Sequence, residues 1–139
     1  MQTLLDILTK AGGWHHGLHL HIDNPPYLPL VIEATDESGP LGLMALSVAH
    51  YGEQHGDAMR DPEMLFELGF AGGVARLDPF YWRNDYVGIE QWSRRIVDDH
   101  YLCVFALHRQ HEPFAKTWDT NLRHQGFVDA FDPARHVRR

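Results

Sequence analysis

Leu18-His19-Leu20-His21-Ile22 is the stretch whose reading decides the fold. In an extended chain successive side chains point to opposite faces, so the apolar residues at 18, 20 and 22 line one face and the two imidazoles the other. This is the signature of a half-buried strand, and it places His19 and His21 together on an exposed or partner-facing side. Asn24, Pro25 and Pro26 break the strand, since proline cannot donate to a ladder. Leu28 to Ala34 reads as a second strand, and residues 36–42 turn the chain. Met44, Leu46 and Val48 alternate with Ala45, Ser47 and Ala49 as a third, ending at His50 or Tyr51 where the polar segment Gly52 to Pro62 begins.

Further along, Met64 to Leu68 predicts a fourth strand, and Gly72 and Gly73 a break. Val74 to Trp82 and Tyr86 to Trp92 predict two more, joined by a turn at Asn84 and Asp85. At the N-terminal end, Thr3 precedes Leu4, Leu5, Ile7 and Leu8 as an N-cap, Asp6 stands as a capping-box acceptor, and Gly12 and Gly13 stop a short helix. At the other end, Pro113 suits a first helical turn, Phe114, Trp118 and Leu122 recur every four residues, and Gly126 suits a left-handed stop. Tyr101 to Leu107 fits both a buried strand and the start of a helix, and periodicity does not choose between them. The expected fold is α+β, an antiparallel sheet of about five or six strands with an N-terminal and a C-terminal helix, in a single domain over residues 1–139.

Composition narrows the function classes. Apolar residues make up 44% and charged residues 22%, ordinary globular usage. Twelve Lys plus Arg stand against 19 Asp plus Glu, for a net charge of −7, so no broad basic surface offers itself to phosphates and direct nucleic-acid binding is not expected. The basic run Arg135, His136, Arg138, Arg139 reads as a solvated tail. Cys103 is the single cysteine, which excludes an internal disulfide and fits a reducing compartment. With no basic-then-apolar leader and no apolar run approaching membrane length, the expected location is the cytoplasm, with no membrane partner.

The chemically richest stretch is His50, Tyr51, Glu53, Gln54, His55, Gly56, Asp57, Arg60, Asp61, Pro62, Glu63. Carboxylates and imidazoles converging at a strand end can hold a divalent ion that activates water, or raise one carboxyl pKa for acid catalysis. Read so, His50, Glu53, Asp57 and Asp61 are candidate catalytic residues, and His50, Asp57 and Asp61, or the strand pair His19 and His21, candidate metal ligands. The competing reading makes Tyr51, Glu53, Gln54, Asp57, Arg60, Asp61 and Glu63 a binding loop, with Asp-Pro-Glu opening a helical turn and Arg60 neutralising its neighbours. Eleven histidines, densest at His15, His16, His19 and His21, come without paired thiolates or an HExxH helix, so neither common zinc pattern is present. No G-x-S-x-G elbow or P-loop occurs, and no cofactor is expected. Phe80, Tyr81, Trp82, Tyr86 and Trp92, with Arg83, Arg94 and Arg95 beside them, leave a local binding face open, although alternation sends about half the rings inward.

Residues 50–64, HYGEQHGDAMRDPEM, and residues 118–127, WDTNLRHQGF, together with Thr3 to Trp14 and Pro79 to Trp92, resemble a bacterial family catalogued as domain of unknown function 6908. The resemblance implies carriage on plasmids, prophages and integrative elements and brings no established activity. In the pattern it implies, Asn is common where His55 stands, so a mechanism would rest on Glu53, Asp57, Asp61 and Glu63. The leading expectation is a small acidic, non-enzymatic interaction protein of a mobile genetic element whose partner is a host or element-encoded protein. An inhibitor of a host defence complex, of the anti-CRISPR or antirestriction type, is the specific candidate. The alternatives are a metal-dependent hydrolase using the His50 to Glu63 segment and an accessory protein for element transfer or maintenance.

Overall fold

A computed structural model describes residues 1–135, Arg135 by its backbone alone; His136, Arg138 and Arg139 of the basic run lie outside the described residues. The chain is α+β. Strands β1 (His19–Asn24), β2 (Tyr27–Ala34), β3 (Ala45–Gln54), β4 (Asp57–Ala71), β5 (Val74–Asn84) and β6 (Ile89–Trp92) form one antiparallel meander in sequence order. A separate hairpin joins β7 (Arg94–Val97) to β8 (His100–Cys103). Helices α1 (Gln2–Lys10), α2 (Phe105–His124) and α3 (Phe127–Ala130) pack on one face of the sheet.

That face carries the core. Leu20 and Ile22 of β1 meet Leu30 and Ile32 of β2, then Leu46 and Val48, then Met64, Phe66 and Leu68. The stripe Leu4, Ile7 and Leu8 of α1 and the side chains Ala115, Trp118, Leu122 and Phe127 close over them. The period of two in the strands and of three to four in the helices is thus one pattern of burial, each large side chain contributing about 1.5–3 kcal/mol. The opposite face shows His19, His21, Glu33, Ser47, Leu65 and Tyr81, in step with the alternation.

The structure corrects several expectations. Gly52 to Pro62 is not a loop. The strands β3 and β4 run on through it, and only His55 and Gly56 turn, both at positive φ (52° and 84°). A two-residue loop with both residues left-handed matches the twist of the flanking strands, so the polar residues are held as a hairpin. Asp61-Pro62-Glu63 opens no helical turn. It lies in β4, where Asp61 and Pro62 face the single residue His50 as a bulge, the position where a missing N–H is tolerated. The Tyr101–Leu107 run divides, β8 ending at Cys103 and α2 beginning at Phe105, and it is not buried: Phe105 is 71% exposed. Pro113 lies inside α2 rather than in its first turn. Its ring faces solvent, as does Arg109, whose carbonyl it leaves without the helical N–H partner.

Thr3 does not cap α1. The N-cap position falls two residues earlier, at Met1, and Thr3 is buried. The cap comes from across the molecule, where the Asp119 carboxylate of α2 accepts the backbone N–H groups of Thr3 (3.1 Å) and Leu4 (2.9 Å). Arg123, one helical turn on, donates to Thr3 Oγ1 and pairs with Asp6, which fastens the two helices together. Gly126, at φ 88°, sits between α2 and α3 where only a residue free of Cβ crowding enters the left-handed region easily.

Candidate functional site

The β3–β4 hairpin distributes the sequence-predicted residues over three places. Glu53, Gln54, His55 and Asp57 occupy the exposed tip, beyond the last β2–β3 pair at Leu30 and His50. His55 stands where backbone conformation favours Asn, Asp or His, so its residue type follows from the turn.

Tyr51, Arg60 and Glu63 belong to the face away from the helices. Glu63 Oε2 accepts from Ser47 Oγ at 2.6 Å, and its other oxygen lies 3.4 Å from Arg60 Nε. The Arg60 guanidinium stands over the Tyr51 ring, 5.8 Å from its centroid, and reaches Asp85 at 3.7 Å. Asp85 accepts the Arg60 backbone N–H at 2.8 Å and Arg83 Nε at 2.6 Å. Burial pushes the Asp85 carboxyl upward, but the Arg60 N–H and the Arg83 guanidinium outweigh it and hold the pKa below the usual carboxylate value. Each carboxylate here meets a donor in the same row. This is an ion-paired belt tying β3, β4 and β5, with Tyr81 beside it.

His50 and Asp61 point to the helical side. The imidazole packs between Trp118 and Phe127, centroids 5.5 Å from each, and Nδ1 donates to the Leu28 carbonyl at 3.1 Å. Burial lowers the His50 pKa, against the raising influence of the Pro29 and Leu28 carbonyls and of Asp61. Asp61 accepts from Asn84 Nδ2 at 2.7 Å. His50 and Asp61 are therefore neighbours, while Asp57 stands away from them at the tip. His19 and His21 lie on the edge strand β1, engaged by Glu33 (2.8 Å) and Asp23 (3.0 Å).

Two features escaped the reading of the sequence. Asp78 on β5 and His108 and Glu112 on α2 bring ligand-type atoms within 4.8 Å of one another, the one such trio among the described residues. Asp78 and Glu112 also line an open cleft of about 440 Å³ between α1, β5 and α2. The signal was the His-x-x-x-Glu spacing, which stacks both side chains on one helical face. The second is the β7–β8 hairpin. Ile96, Val97, Tyr101 and Leu102, with Val104 and Phe105 after it, present apolar surface to solvent. On the same side a depression of about 600 Å³ opens between Ser38, Leu65, Phe80, Trp92 and Ile96. Arg94, one of the arginines read as a possible binding face, is internal, whereas Arg95 lines that depression.

A family model described as domain of unknown function (DUF6908) matches residues 2–128. No curated protein and no solved structure matches the chain. Among the described residues no helix is long and apolar enough to cross a membrane.

Proposed function

This chain belongs to the DUF6908 family, and we propose that it is a non-enzymatic interaction protein of a mobile genetic element, acting in the cytoplasm on a host protein. The observation that carries the reading is the apolar surface of the β7–β8 hairpin and the first turn of α2. Ile96 and Tyr101, cross-strand partners on one face of the hairpin, and Leu102 and Phe105 beside them in the chain are all at least 44% exposed, and this much apolar exposure on one short hairpin favours a surface that another protein covers. The net charge of −7 and the acidic hairpin tip with Glu53 and Asp57 favour a basic partner, steering encounter by charge complementarity. Nucleic-acid-processing defence complexes carry such surfaces, so the specific role proposed is inhibition of a restriction or CRISPR-type complex. The neutralised belt around Arg60 supports a structural role for Tyr51, Arg60 and Glu63, with Glu53, Gln54 and Asp57 left for contact.

Expression in a host with an active restriction or CRISPR system tests this. Transformation by a targeted plasmid should rise toward the untargeted level, and Tyr101→Glu with Phe105→Glu should abolish the protection while the protein stays folded. Unchanged interference across representative systems, or protection indifferent to the double substitution, would overturn the proposal.

A further inference from the structure

We infer that Asp78, His108 and Glu112 form a divalent transition-metal site at the edge of the cleft between β5 and α2. The inference stands apart from the interaction reading and uses none of its surface. His108 Nε2 lies 3.2 Å from Asp78 Oδ1 and 3.5 Å from Glu112 Oε1. An ion with bonds of about 2.0–2.2 Å holds tetrahedral donors about 3.3–3.6 Å apart, so the imidazole stands near ligating separation from each carboxylate before any ion enters, and the two carboxylate oxygens lie within 4.8 Å of each other. They come from two regular elements. His108 and Glu112 share one face of α2, and Asp78 is held in β5 by its pairing with Glu67 on β4.

Charge supports a cation here. Arg94 approaches Asp78 Oδ2 at 3.6 Å, but its charge is already matched by buried Glu67 at 2.7 Å. That leaves two carboxylates facing one imidazole. The donor set of one nitrogen and two carboxylate oxygens suits zinc and its first-row neighbours rather than calcium or magnesium, which take oxygen alone. Three protein ligands leave a fourth position open, as in sites that bind water or an external ligand. Asp78 and Glu112 line the cleft, and Arg76 and Lys116 line it too, so the ligand that completes coordination is anionic.

Calorimetric titration of the full chain with zinc chloride at neutral pH tests the site. One equivalent should bind in the micromolar range or tighter. His108→Ala and Glu112→Gln should each weaken binding at least about tenfold, the lower bound set by changes even in groups that only support a ligand. Glu112 is partly exposed on α2 and the Gln variant keeps its shape, so that protein folds even if the His108 variant does not. A third variant, His19→Ala with His21→Ala, separates this site from surface histidines and should bind zinc as the parent does. No micromolar binding, or binding that survives Glu112→Gln and is lost with His19 and His21, would overturn the inference.

Discussion

Arg94 Nη1 donates to Glu67 Oε1 at 2.7 Å with both side chains almost wholly withdrawn from solvent, 2% and 1% exposed. Each nitrogen of the guanidinium and each oxygen of the carboxylate has a partner. Glu67 Oε2 accepts the backbone N–H groups of Leu41 (2.8 Å) and Leu43 (3.3 Å), and Arg94 donates to the carbonyls of Pro79 (3.2 Å) and Asp78 (3.1 Å). The pair thus anchors the β2–β3 loop and the start of β7 to the middle of the sheet. Gly39 passes so close that a Cβ there would collide with the Glu67 side chain. Removing one partner strands the other charge, so Glu67→Ala should cost about 3–5 kcal/mol. Glu67→Leu with Arg94→Met should cost clearly less than the single change, and urea unfolding of the three proteins measures the difference.

The cap that Asp119 gives α1 is the second quantity to test. Asp119→Ala leaves the N–H groups of buried Thr3 and Leu4 without their acceptor, and a lost cap costs about 0.5–2 kcal/mol. Burial of the site places the expected loss at the upper end, about 2 kcal/mol. Asp129→Ala, at an exposed position of α3, should change stability by less than about 0.5 kcal/mol. Thermal unfolding of both variants separates capping from a general effect of charge.

The sheet was legible in the sequence because alternation is a direct image of burial: Leu20, Ile22, Leu30, Ile32, Leu46 and Val48 all reach the core. Asp119 was not, because its partner lies across the fold and no local pattern announces a cap supplied by another helix. The hairpin at residues 52–62 reads as polar loop for a related reason. Its residues are satisfied across strands, Ser47 to Glu63 and Asn84 to Asp61, rather than by their neighbours. β7 and β8 did carry a local signal, since Asp98 and Asp99 both take positive φ between two short apolar pairs. Most of the two family-like segments is architecture: Trp118, Leu122 and Phe127 pack, Asp119 caps, Gly126 turns and His50 packs on two rings. Chemistry-bearing residue types at 50–63 therefore fall on one hairpin that the fold ties together by cross-strand bonds, while the converging ligand-type trio sits elsewhere, on β5 and α2.

His50 sets a pH dependence. Its folded pKa is lowered by burial, so below about pH 6.5 the unfolded chain takes up a proton that the folded chain resists. The unfolded state then binds more protons, and stability falls as the pH drops from 6.5 toward the folded value. Buried His111 shifts in the same direction, from burial and then from the charge of His108. Each group contributes a slope of at most about 1.4 kcal/mol per pH unit within its window. His50→Asn should flatten the stability profile between about pH 7 and pH 5 without abolishing the slope, since His111 remains. Equal slopes in parent and variant would place the proton uptake elsewhere.

At alkaline pH the controlling group is Tyr81. Its pKa is pushed up to about 12, first by burial and then by the Glu90 carboxylate, which accepts from the phenol and repels the phenolate. A raised phenol pKa stabilises the fold fully below the unfolded value near 10, and that contribution is lost as the pH climbs from there through 12. Phenolate absorbance should therefore show a late stage, from Tyr81 ionising near pH 12. Tyr81→Phe should remove the late stage alone. Glu90→Gln should move it to lower pH, because the amide keeps an acceptor but no longer opposes a second negative charge beside it.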